Sequence, residues 1–389
     1  MLNPQPQSST PLPELSNAEK SRYSRHVVMP EVGIDGQRRL KASSVAVVGV
    51  GGLGTPAAVY LAAAGVGRIG LIDHDIVELS NLHRQFLFSE GDAGRPKTKL
   101  ARARLLAVNP NIQVDAHDVK LDSSNAMEIL RPYDVIVDAT DNFPSRYLIN
   151  DACVLLGKPD VYASVFRFDA QASVFAAKQG PCYRCLYPEP PPPESVQSCA
   201  QAGVLGVVTG IMGAVQANQA IDILLGRGPA LAGRLLLFNG LDMSFNELRI
   251  KKSALCPVCG PNPSVTKLID YEDFCGMSTK VAPAGSEVDP VGLKAQIDAG
   301  WKPLILDVRE PLEYQLCSLE GARLLPLDQL KKRVGELDRA RDVVVYCKTG
   351  DRSERAARIL RDSGFKNVKN LKGGIKAWAE QVDLSMPRY

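Results

Sequence analysis

Val45-Ala-Val-Val-Gly49-Val-Gly51-Gly52-Leu-Gly54 is the stretch on which the fold turns. Four small or β-branched apolar residues lead into four glycines within six positions, and Thr55-Pro56 then opens an alanine-rich apolar run. The apolar residues suit a buried strand, and proline suits the first turn of a helix. Glycines between the two let backbone N–H groups approach an anion at the helix N-terminus, where the axial dipole favours negative charge. Asp73 ends the next apolar run, about twenty residues on, where an acidic side chain takes a ribose hydroxyl. A tight turn without a ligand would explain Gly49, Gly51, Gly52 and Gly54 but not the acid, so the order predicts a nucleotide site.

Outward from this stretch, strands are expected at residues 44–48, 69–73, 135–138, 160–164, 171–175 and 234–239, alternating with helical segments. That alternation predicts an α/β domain, Rossmann-like, with a mostly parallel sheet and helices on its faces. The first 17 residues are polar and proline-rich, and read as a disordered segment or an arm that packs late. The proline run at 187–195 can be neither helix nor central strand. Residues 263–287 have linker composition, which sets the first domain at 18–262. From 288 to 389 a smaller α/β pattern restarts, with strand-like PLILDVRE and DVVVYC and a helix that Gly364 ends.

Composition excludes several classes. A net charge of +3 over 389 residues is too small to argue for nucleic acid or a membrane surface. The N-terminus has no apolar signal core, and the apolar stretch at 202–215 reads as too short to span a bilayer. Nine cysteines, an odd number with four in C-x-x-C pairs, fit a reducing, cytoplasmic setting better than a disulfide framework.

Three groups of residues carry chemistry. Near the glycine loop, Asp73-His-Asp75 and Ser80-Asn81-Leu-His83-Arg84-Gln85 precede Gly94-Arg-Pro-Lys97, a polar run that suits a triphosphate. Asp138-Ala-Thr-Asp141-Asn142 closes a buried strand with two acids, where open α/β sheets place ligand chemistry and a carboxylate can hold Mg²⁺. Second, Cys182-x-x-Cys185 and Cys256-x-x-Cys259 predict a closed tetrahedral Cys₄ site for structural Zn²⁺. Third, Cys347 stands between a strand and Lys348-Thr-Gly350-Asp-Arg352-Ser353, where a helix opens. Free N–H groups there lower a thiol pKa and can cradle a persulfide anion.

The motifs RYSRH at 22–26, GVGGLG, DxD, SNLHRQ, GRPK, DATDN, CYRCLYPEPPPP, SCAQAGVLG and CPVC together resemble a known family. It is the adenylyltransferases that activate ubiquitin-fold sulfur carriers for molybdopterin and thiamine synthesis, relatives of ubiquitin-activating enzymes. The resemblance implies that Arg25, Arg84 and Lys97 neutralise ATP phosphates. It further implies that Asp141 acts through Mg²⁺, that Asp73 binds the ribose, and that Asn81 and Gln85 order the site. Arg25 would reach a partner subunit's site, which implies a homodimer. His83 stands where glutamine is usual, so the site should be more sensitive to pH. Residues 288–378, with LDVREPLEY, GARLLPL, CKTGDR and GGIKAW in order, resemble single-domain rhodaneses. That implies Cys347 accepts sulfur as a persulfide and donates it.

Together these resemblances imply an enzyme that adenylates the C-terminal Gly-Gly carboxylate of a ubiquitin-fold sulfur carrier and then converts it to a thiocarboxylate. The sulfur donor would be a cysteine desulfurase or thiosulfate. Cys199, after the proline run, reads as a second thiol that cleaves an acyl disulfide or forms a thioester, or as a structural cysteine. Three rivals stand beside this reading, one of which keeps only the sulfurtransferase active. A dehydrogenase follows from the glycine loop alone but leaves the Arg84–Lys97–Asp141 set without a use. A scaffold with a degenerate nucleotide domain leaves all the charged residues without one.

Overall fold

The computed structural model describes residues 11–176, 180–192, 203–276 and 285–387. The chain divides into two compact units, Met1–Met277 and Ser278–Tyr389.

The first unit is built on strands β1 (Ser44–Val48), β2 (Arg68–Asp73), β3 (Gln113–Asp118), β4 (Val135–Asp138), β5 (Asp160–Phe166), β6 (Asp169–Phe175), β7 (Arg234–Asn239) and β8 (Ser244–Arg249). They form one sheet in the order β3-β2-β1-β4-β5-β6-β7-β8. Pairings from β3 to β5 are parallel, whereas β5–β6, β6–β7 and β7–β8 are antiparallel. The sheet is therefore mostly parallel, with an antiparallel end. β1 and β4 are buried along their whole length, as continuous apolar runs require between two helical layers.

Two strands go beyond the sequence expectation. β3 (QVDAHD) and β8 (SFNELR) lie at the sheet edges, carry few apolar residues and are partly or mostly exposed. Edge strands need no continuous apolar run, so periodicity gives them no signal.

The Gly206–Leu224 helix corrects the membrane argument. The apolar stretch runs on into a helix of 19 residues, long and apolar enough by composition to cross a bilayer. It packs instead on the Gly54–Ala64 helix and on β5 and β6, with Val208, Met212, Ala217 and Ala220 buried. It is a core helix.

At the N-terminus, residues 11–16 are packed rather than loose. Leu15 is buried, Arg38 donates to the carbonyls of Leu12 and Pro13, and Ser16 and Glu19 form a reciprocal cap on the first helix. The expectation for residues 1–10 lies outside the described residues. Within the stretch of linker composition, Tyr271–Phe274 forms a short helix, with Tyr271 and Cys275 buried in the first unit's core. Burial of Tyr271 and Cys275 outweighs a loop-like composition there.

The second unit has strands β9 (Glu287–Val288), β10 (Leu304–Asp307), β11 (Arg323–Leu324), β12 (Val343–Tyr346) and β13 (Val368–Leu371). Their order is β11-β10-β12-β13-β9, with every pairing parallel. β12 is wholly buried, and it delivers Cys347 to the strand ends.

Candidate functional site

Since β2 and β3 lie on one side of β1 and the chain then crosses from β3 to β4 on the other, the loop after β1 lies at the point where an open α/β sheet opens a crevice. A cavity of about 500 Å³ lies there, lined by Gly49, Gly51, Gly52, Asp73, Asn81, Arg84, Gln85, Lys97 and Asp141 among others. The glycine loop turns tightly into the Gly54–Ala64 helix. A Cβ on Gly54 would lie 1.8 Å from the Gly49 carbonyl oxygen, so nothing larger fits there. Gly51 faces the cavity, and a Cβ there would meet only Gln85, at 3.8 Å. This is a cradle that a bound group, rather than a side chain, fills.

Asp73 braces the loop from below. Its carboxylate accepts the Val50 N–H at 2.7 Å and the Asp75 N–H at 2.9 Å. Lys97 is buried, and its ammonium reaches Asp75 at 2.9 Å, so this cation is aimed into the cavity by an acid. Arg84 donates to the Ser80 carbonyl at 3.0 Å and to His83 Nε2 at 2.8 Å. Burial, then the Arg84 charge, hold the His83 imidazole below its ordinary pKa. Asn81 closes its own turn by accepting the Glu78 N–H. Gln85 is buried, and its carbonyl oxygen has no protein partner, which leaves an acceptor beside the loop.

The structure separates the two acids of DATDN. Asp138 is buried and folds onto Thr140, accepting from its N–H at 2.9 Å and its hydroxyl at 2.6 Å. Burial pushes the Asp138 carboxyl up despite those bonds, and Asp160 is raised further by burial and by Asp138. Asp141 is exposed and lines the cavity, and Asn142 beside it caps the Phe143–Leu156 helix by accepting the Ser145 N–H. Arg25 is exposed on the Ser24–Val27 helix and is not among the residues that line this cavity. Cys199 lies outside the described residues.

Sequence reasoning missed Arg146. It is buried on the cavity wall, stacked 5.2 Å from the Phe143 ring and 5.8 Å from the Tyr162 ring, and it donates to the Thr140 carbonyl. The signal was an arginine one helical turn and a half after Asp141, visible only once a helix starts at Phe143.

The four knuckle cysteines converge. Their sulfurs lie within 4.8 Å of one another, with Cys182–Cys256 and Cys185–Cys259 each at 3.4 Å and Cys182–Cys185 at 3.9 Å. Tetrahedral Zn–S bonds of about 2.3 Å place sulfurs about 3.8 Å apart, so this donor set fits zinc. The Ser253 N–H donates to Cys185 Sγ at 3.4 Å, a contact that favours thiolate over thiol.

In the second unit, Cys347 is 1% exposed at the end of β12. Its sulfur accepts the Gly350 N–H at 3.1 Å and, at 3.4 Å, the Ser353 hydroxyl, whose single proton is shared with the Gly350 carbonyl at 2.9 Å, at the N-terminus of the Asp351–Asp362 helix. A Cβ on Gly374 would lie 2.5 Å from the carbonyl oxygens of both Cys347 and Lys348, while the Ile375 N–H donates to the Cys347 carbonyl. The GGIKAW motif thus holds the loop from outside. Arg352, in the run that follows the sulfur, forks onto Glu313 with both bonds at 2.7 Å, buried on both sides, and so is not spent on the sulfur. Burial pushes the Glu313 carboxyl up, but the Arg352 fork outweighs it and holds it low.

Comparison with known proteins agrees with this geometry. The ThiF family matches residues 23–258, and the rhodanese-like domain matches residues 289–381. A probable adenylyltransferase/sulfurtransferase, MoeZ of Mycobacterium tuberculosis, is 44% identical over 388 residues, covering 97% of both chains. Adenylyltransferase and sulfurtransferase MOCS3 of Culex quinquefasciatus is also 44% identical, covering 97% of this chain and 91% of its own. Among solved structures, E. coli MccB with ATP superposes with a TM-score of 0.54 at 26% identity, covering 63% of this chain and 75% of that one. With a ThiF domain and a rhodanese-like domain matched in order over nearly its whole length, this chain belongs to the family of adenylyltransferase/sulfurtransferases.

Proposed function

We propose that this enzyme adenylates the C-terminal Gly-Gly carboxylate of a ubiquitin-fold sulfur carrier and then delivers sulfur to it from a persulfide on Cys347. The observation that carries this reading is the pairing of two anion-holding helix N-termini on one chain. One opens on a nucleotide-sized cavity, and the other holds a single sulfur.

In the first step the carrier's carboxylate attacks the α-phosphorus of ATP, and pyrophosphate leaves. Lys97 and Arg84, with Arg25 from a partner subunit, neutralise the phosphates, Asp73 receives the ribose, and catalysis is positioning plus charge neutralisation. Asp141 would hold Mg²⁺, which would supply further neutralisation of the phosphate charge. In the second step the Cys347 persulfide attacks the acyl-adenylate carbonyl. AMP leaves, and an acyl disulfide forms. A second thiol, which we assign to Cys199, attacks Cys347 Sγ, freeing the thiocarboxylate and leaving a disulfide that a dithiol reductant reopens. A cysteine desulfurase or thiosulfate reloads the sulfur.

Four thiolates around Zn²⁺ leave no open position for water, so that site is structural. All eight described cysteines are free, which supports a reducing, cytoplasmic setting.

Incubating the pure enzyme with ATP, a sulfur donor and candidate carriers ending in Gly-Gly tests the reading by mass spectrometry. One carrier should exchange an oxygen for a sulfur. Cys347→Ala should abolish that product and keep ATP–pyrophosphate exchange, and Asp141→Ala should abolish exchange and keep thiosulfate sulfurtransfer. Exchange at the normal rate in Asp141→Ala would remove Asp141 from the site.

A further inference from the structure

Four arginines are buried among the described residues, and three of them meet a buried acid. Arg184 pairs with Asp151, Arg309 with Asp307 and Arg352 with Glu313. Arg146, 8% exposed on the wall of the nucleotide cavity, is the exception. Among the described residues it forms no ion pair. Its Nη2 donates at 3.4 Å to the Thr140 carbonyl, and its Nε is buried with no hydrogen-bond partner. Asp138, on the neighbouring strand end, is turned onto Thr140 instead.

A guanidinium stays protonated in a protein, and a buried charge without a counter-charge is costly. One long bond to a neutral carbonyl offsets little of that cost, and the faces of Phe143 and Tyr162 offset part of the rest. The cavity is where the missing anion can sit. Sheet order says which anion it is. Asp73 ends β2, and Lys97 is aimed from that side through Asp75, whereas Arg146 lies against Tyr162 on β5. The order β2-β1-β4-β5 puts the glycine loop after β1 between these two groups. In a displacement at phosphorus the attacking and leaving oxygens stand roughly in line. With pyrophosphate leaving toward Lys97, the attacking group comes from the Arg146 side.

We propose that Arg146 is the carboxylate receptor of the adenylation site, holding one oxygen of the carrier's terminal carboxylate while the other faces the α-phosphorus. This deepens the adenylation step proposed above and rests on it. The planar fork of a guanidinium matches a carboxylate, and burial strengthens the contact. The free oxygen bonds to phosphorus, and the P–O bond to pyrophosphate breaks with its electron pair. The oxygen at Arg146 becomes the acyl carbonyl.

The test uses the full chain and a ubiquitin-fold carrier ending in Gly-Gly, prepared as the free acid and as the terminal carboxamide. Calorimetry should show the unaltered enzyme binding the acid at least about tenfold more tightly than the amide. Arg146→Gln should bind the two alike, through weaker binding of the acid, while ATP affinity falls far less. Retained ATP binding also shows that the cavity is folded. Arg146→Lys, a charge without the fork, should show a reduced preference, and it carries the test if the glutamine variant does not fold. Equal binding of acid and amide by the unaltered chain overturns the proposal with no variant needed. An acid preference undiminished in either variant also overturns it. So does ATP affinity falling as far as acid affinity, which would make Arg146 a phosphate ligand. AMP formation is scored apart from binding. A carrier bound with the acid preference but never adenylated would sink the adenylation step and leave the carboxylate receptor standing.

Discussion

The two anion sites of this chain follow one plan at two scales. Each is a buried parallel strand, a short loop with a glycine at positive φ (Gly49 at 91°, Gly350 at 109°), and the N-terminus of a helix. The first loop borders a cavity of about 500 Å³ whose cations, Arg84, Lys97, Lys120 and Arg146, come from a distance in sequence. The second closes so tightly that Cys347 is 1% exposed and two donors meet one sulfur. The difference teaches that backbone N–H groups and the helix dipole supply the anion preference in both places. Side-chain charge is added only where a multiply charged nucleotide must be held.

The largest effect should come from filling each loop in turn. In Gly54→Ala the new Cβ meets the Gly49 carbonyl oxygen, so ATP–pyrophosphate exchange should be lost while thiosulfate:cyanide sulfurtransfer survives. In Gly374→Ala the new Cβ meets the Cys347 and Lys348 carbonyls, and the opposite pattern should appear. Cross-effects, with either variant losing both activities, would break the picture of two separate loops.

A smaller change comes from Ser353→Ala, which removes one of the two donors to Cys347 Sγ. A hydrogen bond to a charged group contributes about 1.5–3 kcal/mol, so persulfide transfer should slow by about tenfold or more. Iodoacetamide alkylation of Cys347 at fixed pH should slow in the same variant. An unchanged alkylation rate would leave the Gly350 N–H as the one donor that matters to this sulfur.

The smallest effect concerns pH. His83 accepts from Arg84 only as neutral imidazole, and its pKa lies below the ordinary 6.5, through burial first and the Arg84 charge second. Because the folded pKa is depressed, the interaction is whole above about 6.5 and is lost as pH falls through the folded value. Exchange activity should decline on that acid side, and His83→Gln should flatten the decline. On the sulfur side Glu313 is held below its ordinary 4.5, so its pair with Arg352 should persist to lower pH. An acid limb that His83→Gln leaves unchanged would assign it elsewhere.

Much of this was legible before any coordinates. The spans of β1, β4 and β7 were expected residue for residue, since each is a short apolar run bounded by turn residues. The cysteine knuckles were legible from spacing alone, because two residues between ligands is a local constraint. The edge strands β3 and β8 were not, because a polar edge strand takes its pairing from its neighbour rather than from its own pattern. Asp138 and Asp141 looked alike in sequence. Two residues of turn, Ala139 and Thr140, separate a buried acid, raised in pKa, from an exposed one at the cavity.

By itself, then, the chain's order of residues determined the two strand–loop–helix anion sites, the four thiol ligands and the pairing of two activities. All of these are set by neighbours along the backbone. Tertiary structure alone decided which charges serve them. Arg352 goes to Glu313, Lys97 to Asp75, and Arg184 to Asp151, which also accepts from Tyr271, across separations of 39, 22, 33 and, for Asp151 to Tyr271, 120 residues. A charge of fixed identity can meet any acid that folding brings within hydrogen-bond reach, and burial then makes one pairing far stronger than the alternatives in water.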